Sequence, residues 1–140
     1  MHLDPATLPH QEAYKLLTGS VLPRPIAWVS TINKDGVTNL APFSFFMGVC
    51  AKPLTIAFAP MQKPNNTPKD TLINIRETKE FVVNMVSESL VKRMNQTSAD
   101  YPFGISEFDQ AGLTETKSII VSPPRVLESP ISLECKLQYD

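Results

Sequence analysis

Histidine is almost missing from this 140-residue chain. The two it has, His2 and His10, both lie in the first ten positions. A Ser-His-Asp or Cys-His nucleophilic site would have to borrow one of them, and a His-based zinc site is equally hard to assemble. Cysteine is as scarce. Cys50 and Cys135 lie far apart in sequence and read as two buried, reduced thiols sooner than as a disulfide or a catalytic thiol. There is no GxGxxG and no GxxxxGK[ST], so neither a Rossmann nor a P-loop nucleotide site is supported. Charge of one sign is lacking too: 13 Lys and Arg stand against 14 Asp and Glu, with no basic stripe, so nucleic acid is not an expected partner. No apolar run approaches the roughly 20 residues that cross a bilayer. The start, Met1 to Asp4, is too polar for a signal peptide. A cytoplasmic protein without a membrane partner is expected.

What is present is enough hydrophobic residue, 42%, for one packed domain over residues 1–140. The side chains are poorly equipped to run a reaction alone. No catalytic residue and no metal ligand is assigned, and a bound cofactor, or binding without catalysis, is the natural inference.

The stretch from Arg24 to Phe46 organises the chain. Ile26, Trp28, Ser30 and Ile32 alternate with Ala27, Val29 and Thr31, the period-two pattern of a strand. Asn33-Lys34-Asp35-Gly36 supplies a turn, with Gly36 free to take positive φ. The returning arm sets Val37, Asn39 and Ala41 against Thr38, Leu40 and Pro42. Pro42 has no N–H for a ladder, so pairing ends there or the strand is an edge. Phe43-Ser44-Phe45-Phe46 then places a hydroxyl among three aromatics. This suits a pocket for a flat ring with a polar tail, or a hairpin with an aromatic plug.

Other elements follow. Glu12 to Thr18 reads as a short helix stopped by Gly19. Arg24, stiffened between two prolines, is either a solvated arginine or an anion contact. Leu54 to Phe58 alternates as a strand, and Pro60 to Pro68 is a loop. Thr67-Pro68-Lys69-Asp70 fits a helix start with Thr67 as cap, its buried face formed by Leu72, Ile73 and Ile75. Such a start suits a phosphate, with Lys69 and Thr71 adding an ammonium and a hydroxyl, but capped helices greatly outnumber phosphate sites and plain capping is the commoner reading. Glu80 to Met85 is a strand, Glu88 to Asn95 a helix, Ser98 to Gly104 a loop, Ser106 to Gln110 a helical turn with Phe108 inward, and Ile119 to Val121 a short strand. Ile131 to Tyr139 alternates strictly and is the cleanest half-buried strand. Five or six short strands with few helices predict a mainly β small barrel or sandwich with peripheral helices. A strong strand so near Asp140 implies that more chain follows or that another subunit covers it.

Two long motifs, Arg24-Pro25-Ile26-Ala27-Trp28-Val29-Ser30-Thr31 and Asn39-Leu40-Ala41-Pro42-Phe43-Ser44-Phe45-Phe46, resemble the flavin reductase-like proteins, FMN-binding split barrels related to flavoredoxin. Lys69-Asp70-Thr71, the Glu80–Asn84 strand, Ser106-Glu107-Phe108, Ala111-Gly112-Leu113, Pro124-Arg125-Val126 and Glu134-Cys135 extend the resemblance from about Pro23 onward. It implies a six-stranded antiparallel, Greek-key-like split barrel and a homodimer with FMN near the subunit interface. It also implies electron transfer from NADH, NADPH or another donor through FMN to a flavin, a ferric complex or a redox partner. Carried onto these positions, Thr31 and the backbone of Asn39, Leu40 and Ala41 would run along the flavin, and Ser44, Lys69 and Thr71 would hold its phosphate. Trp28 and Phe45 would shape the wall, with Ser30 nearby. Members usually continue well past the Glu-Cys strand, so a truncated barrel is expected here. A non-catalytic FMN-binding or storage module, or an inactive remnant, is the alternative.

Overall fold

The computed structural model describes residues 2–63, 67–102 and 104–139. In chain order the elements are α1 (His10–Ser20), β1 (Ala27–Ile32), β2 (Thr38–Phe43), β3 (Phe46–Ala51), β4 (Leu54–Phe58), α2 (Asp70–Thr78), β5 (Glu80–Asn84), α3 (Val91–Gln96), α4 (Glu107–Gln110), β6 (Glu115–Thr116), β7 (Arg125–Val126) and β8 (Ser132–Lys136). β1, β2, β5 and β8 form one antiparallel sheet in the order β2-β1-β5-β8. β3 with β4, and β6 with β7, form separate two-stranded ribbons.

The organising hairpin has the expected register, with Val29 opposite Ala41 and Thr31 opposite Asn39. Its turn is held by the Asn33 carboxamide oxygen, which accepts the N–H of Asp35 and Val37, while Gly36 takes φ +83°. β2 is an edge strand. Pro42 shares its outer side with Leu40 by the two-residue alternation, so the missing N–H falls where no strand pairs.

The alternation of β1 separates two cores. Trp28 points to one face, with Leu40, Leu90, Phe108, Ala111, Leu113 and Val126. Ala27 and Val29 point to the other, with Phe43, Ile75, Phe81 and Val83. α2 and the β3–β4 hairpin lie over that second face, and half-buried Ile56, Phe58, Leu133, Cys135 and Leu137 complete its lining. Between the hairpin and β8 remains an open cleft of about 1950 Å³, lined by Ile56, Phe58, Leu72, Phe81, Leu133 and Cys135 among others.

Several expectations are corrected. Gly48 to Ala51 is strand as well: Phe46–Ala51 pairs with Leu54–Phe58 through a bulge after Gly48. α2 starts at Asp70 with Lys69 as its cap residue, two positions later than the sequence predicts. Ile119 to Val121 is not a strand. Glu134 on β8 accepts the N–H of Ile119 at 2.9 Å and of Ile120 at 2.7 Å, and Glu80 accepts the N–H of Ser122, so carboxylates hold that segment in place of a ladder. α1 runs longer than expected and buries no residue. β8 covers only Ser132–Lys136 of the alternating run. Cys50 is exposed and Cys135 half-buried, and burial pushes the Cys135 thiol up to about 11. Within the predicted loops, residues 64–66 and 103 lie outside the described residues, as does residue 140. No helix among the described residues is long and apolar enough to cross a membrane.

Candidate functional site

The face of β2 that α2 covers carries Asn39, Ala41 and Phe43, and Ser44 and Phe45 continue from its end. α2 reaches β2 by its first turn, where the Thr71 hydroxyl accepts the Asn39 amide at 2.9 Å. One turn on, the Asn74 amide donates to the Thr31 hydroxyl at 3.0 Å. By helix geometry the N–H groups of Asp70 and Thr71 have no acceptor inside α2. The Asp70 carboxylate, which would repel an anion there, is paired with the Lys63 ammonium at 3.0 Å. Lys69 sets its ammonium 5.3 Å from the centre of the Phe43 ring, a cation–π distance.

At the other end of the track, Arg24 turns back onto α1. Its guanidinium donates to the carbonyl oxygens of Thr18 and Val21, the favourable place for a cation at a helix C-terminus. It also reaches the Ser44 hydroxyl at 3.4 Å and lies 6.0 Å from the Phe45 ring. Tyr14 meets the same ring edge-on at 6.1 Å. Arg24 is therefore neither simply solvated nor free for an anion: it fastens α1 to the Phe45 corner.

The ten residues picked from the sequence divide sharply by exposure. Ala41, Ser44, Phe45 and Lys69 are half-buried and open to a ligand. Thr31 and Thr71 are buried against one another's elements, and Asn39 is 8% exposed. The expectation that Trp28 shapes a pocket wall, with Ser30 nearby, is corrected. Both are wholly buried on the opposite face, where the Trp28 indole donates to the Thr97 hydroxyl at 2.9 Å and Ser30 donates to the Pro124 carbonyl. Leu40 is buried there too. Its N–H is taken by the Glu107 carboxylate at 2.8 Å, and the N–H groups of Asn39 and Ala41 face β1 by the ladder's alternation. The backbone of 39–41 thus offers no spare donor. None of the ten lines the large cleft.

Sequence reasoning missed two buried polar residues that organise this region. Asn84 donates to the Trp28 carbonyl and the Ser30 hydroxyl and accepts from the Val126 N–H and the Ser132 hydroxyl, so one amide ties β1, β5, β7 and β8. Its place at the end of a Val-rich strand was the available signal. Glu107 is 7% exposed. Desolvation pushes its carboxyl above the ordinary glutamate value, the bond from Leu40 and that from its own N–H pull it back, and the Asp70 charge adds to the rise.

With the geometry described, comparison with known proteins decides the affiliation. The model of the flavin reductase like domain matches residues 18–139. The chain belongs to this family. Its fold is the family's split barrel. A protein of Aquifex aeolicus is 50% identical over 124 residues, which is 89% of this chain and 63% of that protein. Nitrilotriacetate monooxygenase component B from Bacillus cereus superposes with TM-score 0.94 at 40% identity, covering 99% of this chain and 68% of that one. The 2-nitrobenzoate 2-nitroreductase of Pseudomonas fluorescens does so at 0.87 and 39%, covering 99% and 66%. The chain therefore spans about two thirds of the length of these relatives.

Proposed function

We propose that the chain binds FMN and serves a flavin-dependent oxidoreductase that takes electrons from NADH, NADPH or another donor and passes them to a flavin, a ferric complex or a redox partner. The observation that carries this reading is the track along β2. It runs from the first turn of α2, past the Lys69 ammonium and the small Ala41 side chain, to the Ser44 hydroxyl and the Phe45 ring. Cation, hydroxyl and N–H donors suit a phosphate, and the half-buried Phe45 ring at the end of the track suits a flat ring. Family membership and the names of the two solved relatives support the same reading.

In this arrangement Lys69 and the first turn of α2 hold the phosphate, with the Thr71 hydroxyl proton directed to it and Thr71 kept in place by Asn39. Ser44 gives a further hydrogen bond and Phe45 bounds the ring. Trp28, Ser30, Thr31 and Leu40 act from beneath by fixing β1 and β2. FMN, when bound, supplies the hydride-accepting and electron-passing chemistry. The protein supplies position and electrostatics.

A homodimer fits the bare surfaces. α1 buries nothing, yet it exposes Tyr14, Leu16 and Leu17, with Val21 just past its end, and the hairpin exposes Met47, Val49 and Leu54. An 11-residue helix is not stable on its own propensity, so a partner surface is called for. The deciding experiment is the absorption spectrum after incubation with FMN and desalting, followed by anaerobic addition of NADH or NADPH. Retained flavin that is bleached by a donor supports the oxidoreductase. Retained flavin that no donor bleaches favours the non-catalytic FMN module, and a colourless protein ends the flavin reading for this chain.

A further inference from the structure

Glu107 is a buried carboxylate that the proposed site does not use. It sits on α4 at the outer edge of β2, where it holds the Leu40 N–H. The next residue, Asn39, holds Thr71 in the first turn of α2. One residue of β2 thus separates the carboxylate's hydrogen bond from the helix start. The loop before α4 closes the same corner. Gly104 and Ile105 line a small cavity together with Asn39, Asp70 and Asn74, and the Ser106 hydroxyl meets that of Thr38 at 2.8 Å. The charges that face Glu107 are few. α2 contributes Asp70 and the loop before it contributes Lys63, already bridged to one another. β6 contributes Glu115, through Thr38, and β2 contributes none. Three carboxylates therefore share the corner with the Lys63 ammonium, and Lys69 brings a second ammonium at the start of α2.

We propose that Glu107 takes up a proton when an anion settles at the N-terminus of α2, so that phosphate binding there is linked to pH. This rests on the reading that the start of α2 receives the FMN phosphate. Like charges in a poorly hydrated site disfavour one another's ionised forms, and Glu107 already responds in this way to Asp70. A second anion beside Asp70 acts in the same direction. Linkage is reciprocal, so an anion that favours the neutral carboxyl binds more tightly to the protein that carries it. The neutral carboxyl still has an oxygen to accept the Leu40 N–H. The coupling therefore changes the charge of the corner while β2 stays anchored.

The test compares FMN with riboflavin, which lacks the phosphate, in the wild type and in Glu107→Gln. Flavin fluorescence gives Kd from about pH 5 to about pH 8, on the upper side of the ordinary glutamate pKa, the direction in which burial moves Glu107. The FMN phosphate itself titrates near pH ~6, so the informative quantity is the difference between the two proteins. FMN affinity of the wild type is expected to fall across this span by about three- to tenfold more than that of the variant, the effect of half to one pKa unit of coupling. Riboflavin should show the same slope in both. Equal FMN slopes, or a riboflavin slope that changes in the same way, overturn the proposal while leaving flavin binding intact. If the wild type binds neither flavin, the underlying reading falls and the proposal falls with it. A second measurement is calorimetry of FMN binding in two buffers, which counts protons taken up or released. The wild type is expected to take up more protons, or release fewer, than Glu107→Gln over the same pH span, which cancels the contribution of the phosphate itself, and equal counts overturn the proposal.

Discussion

The two faces of the four-stranded sheet are finished to different degrees. On the Trp28 face the largest side chains, Trp28, Phe108, Leu40, Leu90 and Val126, are at most 2% exposed. Its buried polar groups are satisfied by Thr97, Pro124 and the four bonds of Asn84. On the other face Val29, Phe81 and Val83 are buried, but the layer above them is half-open and borders the cleft. The cover differs in kind. Segments between β5 and β8 wrap the closed face, whereas a short helix and a two-stranded hairpin lie over the open one. A lone hairpin adds little stability of its own. Global stability is therefore concentrated on the closed face, and the open face is free to open locally and to receive a ligand or partner.

The sharpest way to break this comparison is to truncate one aromatic on each face. Trp28→Ala should cost about 3–5 kcal/mol, since it removes a fully enclosed ring and the indole bond to Thr97, whose hydroxyl keeps only the Met94 carbonyl. Phe58→Ala on the open face should cost about 1–2 kcal/mol, in proportion to its partial burial, although Phe58 contacts both Phe43 and Phe81. Urea unfolding of the two variants measures the contrast, and equal losses would remove it. Asn84→Ala comes next, at about 2–3 kcal/mol, because the Val126 N–H and the Ser30 hydroxyl lose a buried partner.

A variant at the border of the two faces separates binding from folding. Lys69 is a half-buried helix cap residue with no side-chain capping bond. Lys69→Ala should leave the urea midpoint within experimental error yet weaken FMN by about 1.5–3 kcal/mol, the range of a charge-assisted hydrogen bond. Parallel loss of both would make Lys69 structural and displace the phosphate from this corner.

Acid and base titration sharpens the comparison through two carboxylates. Desolvation raises Glu134 on β8, but the N–H groups of Ile119 and Ile120 and the Arg125 guanidinium outweigh it and hold the pKa below the ordinary value. Its stabilising contribution is present above the unfolded glutamate pKa and is lost as pH falls through the folded one. Glu107 has the opposite sign. Its raised pKa gives stability that is full below the unfolded value and lost as pH rises through the folded one. Glu134→Gln should therefore flatten the acid limb of a thermal-stability profile. Glu107→Gln should flatten the limb between acid and neutral pH and raise the melting temperature at neutral pH. A pair of variants with unchanged profiles would assign the pH dependence to other groups.

The sequence made the closed face and the hairpin legible because period-two alternation and the Asn33–Gly36 turn are local signals. The same alternation found the half-buried strand at Ser132–Lys136 but ran past it at both ends, where Ile131 and Tyr139 are exposed. What it hid was relational. Trp28 and Phe45 look alike as aromatics beside polar residues, and only the sheet's two sides tell that one is enclosed and the other bounds a surface. Arg24 gave no sign that its partners would be the carbonyls of α1, and Glu107 read as one more acid in a helical turn until α4 was folded onto the edge of β2. Hydrogen bonds between residues far apart in sequence, such as Asn39 to Thr71 or Asn84 to Val126, have no local pattern to read.

The smallest expected effect tests the bare hairpin. Leu54 is 82% exposed on the β4 side that carries Ile56 and Phe58 toward the cleft. In an isolated chain Leu54→Asp should change stability by no more than about 0.5 kcal/mol, since little of the side chain is removed from water. If the hairpin meets a second copy, the same substitution places a charge in an apolar contact and should shift the association equilibrium far more than the folding one. Sedimentation velocity over a range of concentrations, set beside urea unfolding at one low concentration, separates the two. A large loss of dimer with an unchanged unfolding midpoint would show that the open face is finished by a partner subunit. An unchanged dimer would move the interface to α1, where Leu17→Asp provides the matching probe.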